Sequence, residues 1–169
     1  MLYFHIGNIL NTNCQYICHQ VNCQGKMNSG VAKAIREKWP IVFEEYKKWY
    51  DEWWRIACDD YGGCEEGLDG SDLMLGHCLA VPVTQNQWVI NMASQDGYGY
   101  DGKQYTSYDA FWSCLNKIKE TIPKGSEIAF PDHIGCCRGG ANWNVILSMI
   151  DEVLSEDYEV HIYKLEETK

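Results

Sequence analysis

Two glycine-bearing segments lie near opposite ends of the chain: Gln24-Gly25-Lys26-Met27-Asn28-Ser29-Gly30 and Gly135-Cys136-Cys137-Arg138-Gly139-Gly140. Each falls between a run with strand character and a run with helical spacing. Glycine lets backbone N–H groups come close to an anion. A helix that begins just after such a turn aims its unpaired donors and the positive end of its dipole at the same point. One such turn is common in proteins and says little. Two strand–turn–helix units, with Asn22 closing the first strand, predict a crevice in which a diphosphate bridging two sugars is gripped from both sides.

The rest of the chain supplies the elements such a crevice needs. Leu2 to Ile6 and Tyr16 to Val21 are rich in aromatic and β-branched residues and read as two strands with a polar turn, Asn11-Thr12-Asn13, between them. Val31, Ala34, Ile35 and Trp39 carry helical spacing up to Pro40, and a second helix runs from Ile41 to about Ile56. From Cys58 to Asp72 the pattern gives way to glycine and acidic residues, which predicts a flexible surface insertion at 58–72. Strand character returns at Gly76 to Val83 and Trp88 to Met92, separated by a turn, as in a hairpin. A helix from about Ser107 places Phe111, Cys114, Leu115 and Ile118 on one face. Ile128 to Phe130 is a buried strand, Trp143 to Leu154 a helix and Val160 to Leu165 a closing strand. Alternation of this kind predicts one α/β domain over residues 1–169, a three-layer α-β-α sandwich with a mixed central sheet.

Composition narrows the ligand. A net charge of −10 argues against a binder of duplex nucleic acid, whose affinity comes from neutralising phosphates with Lys and Arg. A bound phosphate must instead be held locally, by backbone donors. Nine cysteines, an odd number, with no secretory leader pattern, predict a cytoplasmic chain without a disulfide framework. Cys14, Cys18 and Cys23, or Cys58 and Cys64, lack the paired CxxC spacing of structural zinc, so neither a metal nor a cofactor is expected. No run approaches the roughly 20 apolar residues of a membrane span.

Ile17-Cys18-His19-Gln20-Val21-Asn22-Cys23-Gln24-Gly25, Ser29-Gly30-Val31-Ala32-Lys33-Ala34-Ile35 and Ile134-Gly135-Cys136-Cys137-Arg138-Gly139-Gly140-Ala141-Asn142-Trp143 together resemble a macrodomain, the ADP-ribose-binding module. Within that superfamily the chain is similar to the ADP-ribose-1″-phosphate phosphatases and glutamate-type ADP-ribosyl hydrolases, which include stand-alone bacterial and phage forms. The resemblance implies that Asn22 places its amide on the distal ribose, and that Gly25, Met27, Asn28, Ser29, Gly30 and Val31 hold a phosphate. It implies that Gly135, Cys136, Cys137, Arg138, Gly139 and Gly140 wrap the diphosphate and the distal ribose. Macrodomains usually carry glycine where Asn28 stands. Asn8, followed by Ile9, stands where many carry an aspartate that accepts from the adenine amino group; an Asn there equally well caps a turn. Arg138 either reaches a phosphate or lies in solvent.

The same resemblance bears on catalysis. Glutamate-type hydrolases carry a lysine where Gln95 stands, and some carry an aspartate where Gly139 stands, so a covalent lysine intermediate is not expected. The phosphatases offer an aspartate and a histidine, matched by Asp96 and His133. Asp96 would activate a water, and His133 would protonate the departing oxygen of ADP-ribose-1″-phosphate. Imidazole suits proton exchange near neutrality. Lys103 is a nearby cation, and Tyr98 and Tyr100, flanked by glycines, have the look of a lid. Two rival functions stay open. One is a non-catalytic binder that sequesters ADP-ribose or a related nucleotide signal. The other is removal of ADP-ribose from modified macromolecules through Asp96 or Lys103.

Overall fold

A computed structural model describes residues 1–61, 70–97, 99 and 101–167. In chain order the elements are β1 (Leu2–Ile6), β2 (Tyr16–Asn22), α1 (Gly30–Lys38), α2 (Pro40–Tyr61), α3 (Gly70–Met74), β3 (Cys78–Thr84), β4 (Gln87–Gln95), α4 (Tyr108–Thr121), β5 (Glu127–Pro131), α5 (Trp143–Leu154) and β6 (Glu159–Lys164). A short 3-10 turn, Ile9–Asn11, follows β1. The strands form one six-stranded sheet in the order β1-β6-β5-β2-β4-β3. All neighbouring pairs are parallel except β3 with β4, which is the predicted hairpin.

Strand periodicity sorts the core into two layers. Cys18, Ile90, Met92, Phe130 and Ile162 face α4 and α5, where Phe111, Leu115, Ile118, Ile146 and Ile150 pack against them. Ile17, Val21, Val89 and Ala129 face α1, α2 and α3 and meet Ile35, Val42, Tyr46 and Met74. The sheet is therefore covered on both sides, which parallel strands require, and the three-layer mixed sandwich is the observed architecture.

β1 and β2, consecutive in sequence, lie three places apart in the sheet, separated by β6 and β5. One expectation is corrected. The segment read as a surface insertion is helical at both margins, because α2 continues to Tyr61 and α3 begins at Gly70. Gly70 is buried there, since a Cβ would run into the Trp54 ring at 2.6 Å. Residues 62–69 of that segment lie outside the described residues, as do Tyr98 and Tyr100. Cys14, Cys18, Cys23, Cys78, Cys114, Cys136 and Cys137 are free thiols, and Cys58 is disulfide-bonded.

Candidate ligand-binding cleft

Both glycine loops follow parallel strands, β2 and β5, that are hydrogen-bonded neighbours, so both emerge at the same end of the sheet. Between them lies a cavity of about 480 Å³, within the size range of small-molecule sites. Its walls include Asn22, Met27, Asn28, Ser29, Gly30 and Val31 from the first segment, Gln95 from β4, and His133, Gly135, Cys137, Arg138 and Gly139 from the second. Asn8, Ile9, Gly25, Asp96, Cys136 and Gly140 are not among the lining residues.

Asn22 folds the first loop. Its Oδ1 accepts from the Gln24 N–H at 3.0 Å, the Lys26 N–H at 3.3 Å and the Tyr46 hydroxyl at 3.0 Å, while its Nδ2 donates to the Lys26 carbonyl at 3.0 Å. The asparagine assigned to a sugar is thus engaged by the turn that follows it. Ser29 is the N-cap residue of α1, but its side chain makes no capping bond. It accepts instead from the Arg138 guanidinium. The one cation of the second loop therefore reaches across to the first and is half-buried at the seam between them. Asn8 is used locally: its Oδ1 accepts from the Leu10 N–H at 2.9 Å and caps the 3-10 turn.

The second loop is packed onto a polar floor. Gln20, on the same strand face as Asn22, donates to Gln95 Oε1 at 2.7 Å and to Thr106 Oγ1 at 2.8 Å. Thr106 donates in turn to the Gly135 carbonyl at 2.9 Å, and the Tyr105 and Thr106 N–H groups both donate to the Gly139 carbonyl. A side chain would be too large at three places. A Cβ on Gly135 would stand 2.6 Å from Gln20 Oε1, one on Gly140 would stand 2.5 Å from the Lys103 carbonyl, and one on Gly139 would overlap Thr106 Oγ1.

His133 stands out in this loop. It is the one described non-glycine residue with positive φ, at 57°, a left-handed conformation that costs on the order of 1–2 kcal/mol and marks a position held by its surroundings. Two contacts hold it. Nδ1 lies 2.5 Å from Asp132 Oδ2, and the ring stacks on Trp143 with centroids 5.1 Å apart. A carboxylate only accepts, so Nδ1 carries the hydrogen and Nε2 is the nitrogen left for a ligand. Asp96 sits just past β4 and contributes through its backbone: its carbonyl accepts from the Cys23 N–H at 3.2 Å.

Beneath the cleft His19 is almost fully buried, with Nε2 2.5 Å from Asn91 Oδ1. Burial lowers its pKa to about 4, a shift that the Asn91 hydrogen bond opposes. In the second loop burial raises the Cys136 thiol to about 11, aided by the neighbouring Cys137 and Asp132. Cys136 therefore stays a neutral thiol. Sequence reasoning named Asp132 with His133 only as a loop brace, and did not single out Gln20, Thr106 or the Trp143 stack. The adjacent Asp-His pair and the two-residue spacing of Gln20 and Asn22 were the available signals.

No family model matches the chain. A curated relative, the DNA ADP-ribosyl glycohydrolase of Thermus aquaticus, is 23% identical over 169 residues; the match covers 97% of this chain but only 41% of that protein. A protein of unknown function from Bacteroides thetaiotaomicron superimposes with a TM-score of 0.77 at 25% identity, covering 97% of this chain and 98% of the other. The macrodomain of Mycobacterium tuberculosis DarG superimposes with a TM-score of 0.69 at 20% identity, over 96% and 97% of the two chains. A Trypanosoma brucei macrodomain in complex with ADP-ribose gives 0.61 at 15% identity, over 97% and 63%. With its mixed six-stranded sheet and paired glycine loops, the chain has the macrodomain fold.

Proposed function

We propose that the protein binds ADP-ribose across the two loops and hydrolyses the bond between its distal ribose and the group that ribose carries. The observation that supports this most is the position of His133. A strained, doubly braced imidazole lines the same cavity as the two segments suited to a diphosphate. Amides at the start of α1 and along 135–140 hold the phosphates, and Arg138, already at the seam, swings its guanidinium from Ser29 to a phosphate oxygen. His133 gives its proton to the departing atom, with Asp132 stabilising the imidazolium form.

Two leaving groups suit this chemistry. With ADP-ribose-1″-phosphate, water attacks phosphorus, the P–O1″ bond breaks and O1″ takes the proton. With an ADP-ribosyl group on a nucleic-acid base, the C1″–N bond breaks, water adds at C1″ and the base takes the proton. The activity carried in the Thermus aquaticus relative's name favours the second. Gln95 in place of a lysine favours a direct water attack in both. Asp96, expected from the sequence to activate that water, is a secondary candidate because it lies outside the lining.

The experiment is release of phosphate from ADP-ribose-1″-phosphate, and of unmodified oligonucleotide from ADP-ribosylated single-stranded DNA, by the native protein and by His133→Ala, Asp132→Asn and Asp96→Ala. Loss of roughly 10²–10⁴-fold in kcat for His133→Ala is the expected result for a general acid. Equal rates in all variants would remove His133 from the chemistry. Calorimetric binding of ADP-ribose with no turnover of either substrate would leave the sequestering binder as the function.

A further inference from the structure

The ADP-ribose cleft has a neighbour. A second cavity, of about 510 Å³, is lined by Met27, Asn28, Lys33, Arg36, Phe43 and Glu44, with Glu37 and Pro40 completing its wall. Met27 and Asn28 belong to both cavities, so the first loop forms the partition between them. Arg36 donates to Asn28 Oδ1 at 3.2 Å, and its guanidinium carbon stands 3.6 Å from the centroid of the Phe43 ring. An arginine fixed on an aromatic ring beside an apolar proline is a surface for a flat ring to stack on. Glu44 is an exposed acceptor for amino or imino hydrogens, and the exposed Lys33, 3.9 Å from Glu37 Oε1, is a donor for a phosphate.

We infer that this second cavity is a nucleotide subsite, which takes a base of the single-stranded nucleic acid whose ADP-ribosyl group occupies the first. The inference rests on the reading of the first cleft as the ADP-ribose site, and it chooses between the two leaving groups named above. Free ADP-ribose-1″-phosphate has nothing to place beyond the loop, whereas a modified strand continues past the distal ribose and needs a second seat. The local charge is balanced, two cations against two carboxylates, which fits recognition by stacking and hydrogen bonds better than by counterion release. It is also consistent with a chain of net charge −10 that is unsuited to duplex DNA. Asn28, where macrodomains usually carry glycine, is the residue through which Arg36 is tied to the loop.

The test compares four probes by calorimetry on a His133→Ala background. They are ADP-ribose, a short single-stranded DNA bearing ADP-ribose on one base, the same DNA unmodified, and a short peptide bearing ADP-ribose. The conjugate is expected to bind about tenfold or more tightly than ADP-ribose, the gain usual for stacking one base. Arg36→Gln and Phe43→Leu should each bring that ratio down toward one. Because the readout is the ratio, a shift of the shared loop that weakens both ligands cancels. A ratio near one in the parent protein, or a tenfold ratio that neither substitution changes, overturns the subsite. Failure of ADP-ribose itself to bind overturns the reading of the first cleft instead. Equal preference for an ADP-ribosylated peptide would assign the second cavity to protein substrates and also overturn the proposal.

Discussion

The two glycine loops line one cavity but are built in different ways. In the first, Gly30 has a φ of 60° and a Cβ there would meet nothing within 4 Å. That glycine serves backbone conformation, while at Gly25, with a φ of 70°, a Cβ would stand 3.0 Å from the Tyr50 ring. In the second, Gly135 and Gly140 also have positive φ, 77° and 69°, but at Gly135, Gly139 and Gly140 neighbouring atoms leave no space as well: Gln20, Thr106 and the 103–104 backbone press directly on them. The first loop is thus shaped by Asn22, the residue at which it leaves β2, with Tyr46 of α2 behind it, and the second by the floor beneath it. A glycine motif in a sequence can therefore mark either a ligand or a packing constraint, and only the surroundings decide which.

This contrast can be broken by substitution. Gly139→Ala should be the most damaging change, because its Cβ overlaps Thr106 Oγ1 and the Gly135 carbonyl. It should cost on the order of 2–4 kcal/mol by urea denaturation and weaken ADP-ribose binding with it. If its stability matches that of the parent, the second loop is not packed as described.

The next effect concerns the floor common to both loops. With the folded pKa of His19 near 4 and an unfolded value near 6.5, the unfolded chain takes up a proton that the folded chain refuses. The contribution is fully present above pH 6.5 and is lost as pH falls toward 4, by roughly 3 kcal/mol at most. Comparing denaturation of the native protein and His19→Gln between pH 7 and pH 4 isolates it; parallel curves would refute it.

Gly30→Ala should be milder, about 1 kcal/mol, the cost of a left-handed backbone with no steric clash. A cost matching that of Gly139→Ala would erase the distinction between the loops. Smallest is the link that joins them. A double-mutant cycle between Ser29→Ala and Arg138→Gln should give a coupling near 0.5–1 kcal/mol in stability. That coupling should vanish when saturating ADP-ribose draws Arg138 to a phosphate.

Much of the fold was legible because period-2 and period-3.6 patterns are local. β2, the β3–β4 hairpin, α4 and α5 fall where their apolar spacing puts them. Strand order was not legible, since β1 pairs with β6 at the far end of the chain and nothing near Asn11-Thr12-Asn13 encodes that. Helical structure at Cys58–Tyr61 was hidden by the acidic and glycine residues that follow it. In the site, glycine and asparagine identities located the cleft. The left-handed backbone of His133, its stack on Trp143 and the engagement of Asn22 by its own loop depend on contacts between segments. Asn8 and Asp96 show the converse limit. A residue type aligned to a role does not place its side chain in the cavity.

The most direct test is a crystal structure of the protein soaked with ADP-ribose. The account predicts the diphosphate within hydrogen-bond reach of amides from both 25–31 and 135–140, with C1″ facing His133 Nε2. A diphosphate bound to one loop alone, or a distal ribose turned away from His133, would contradict it.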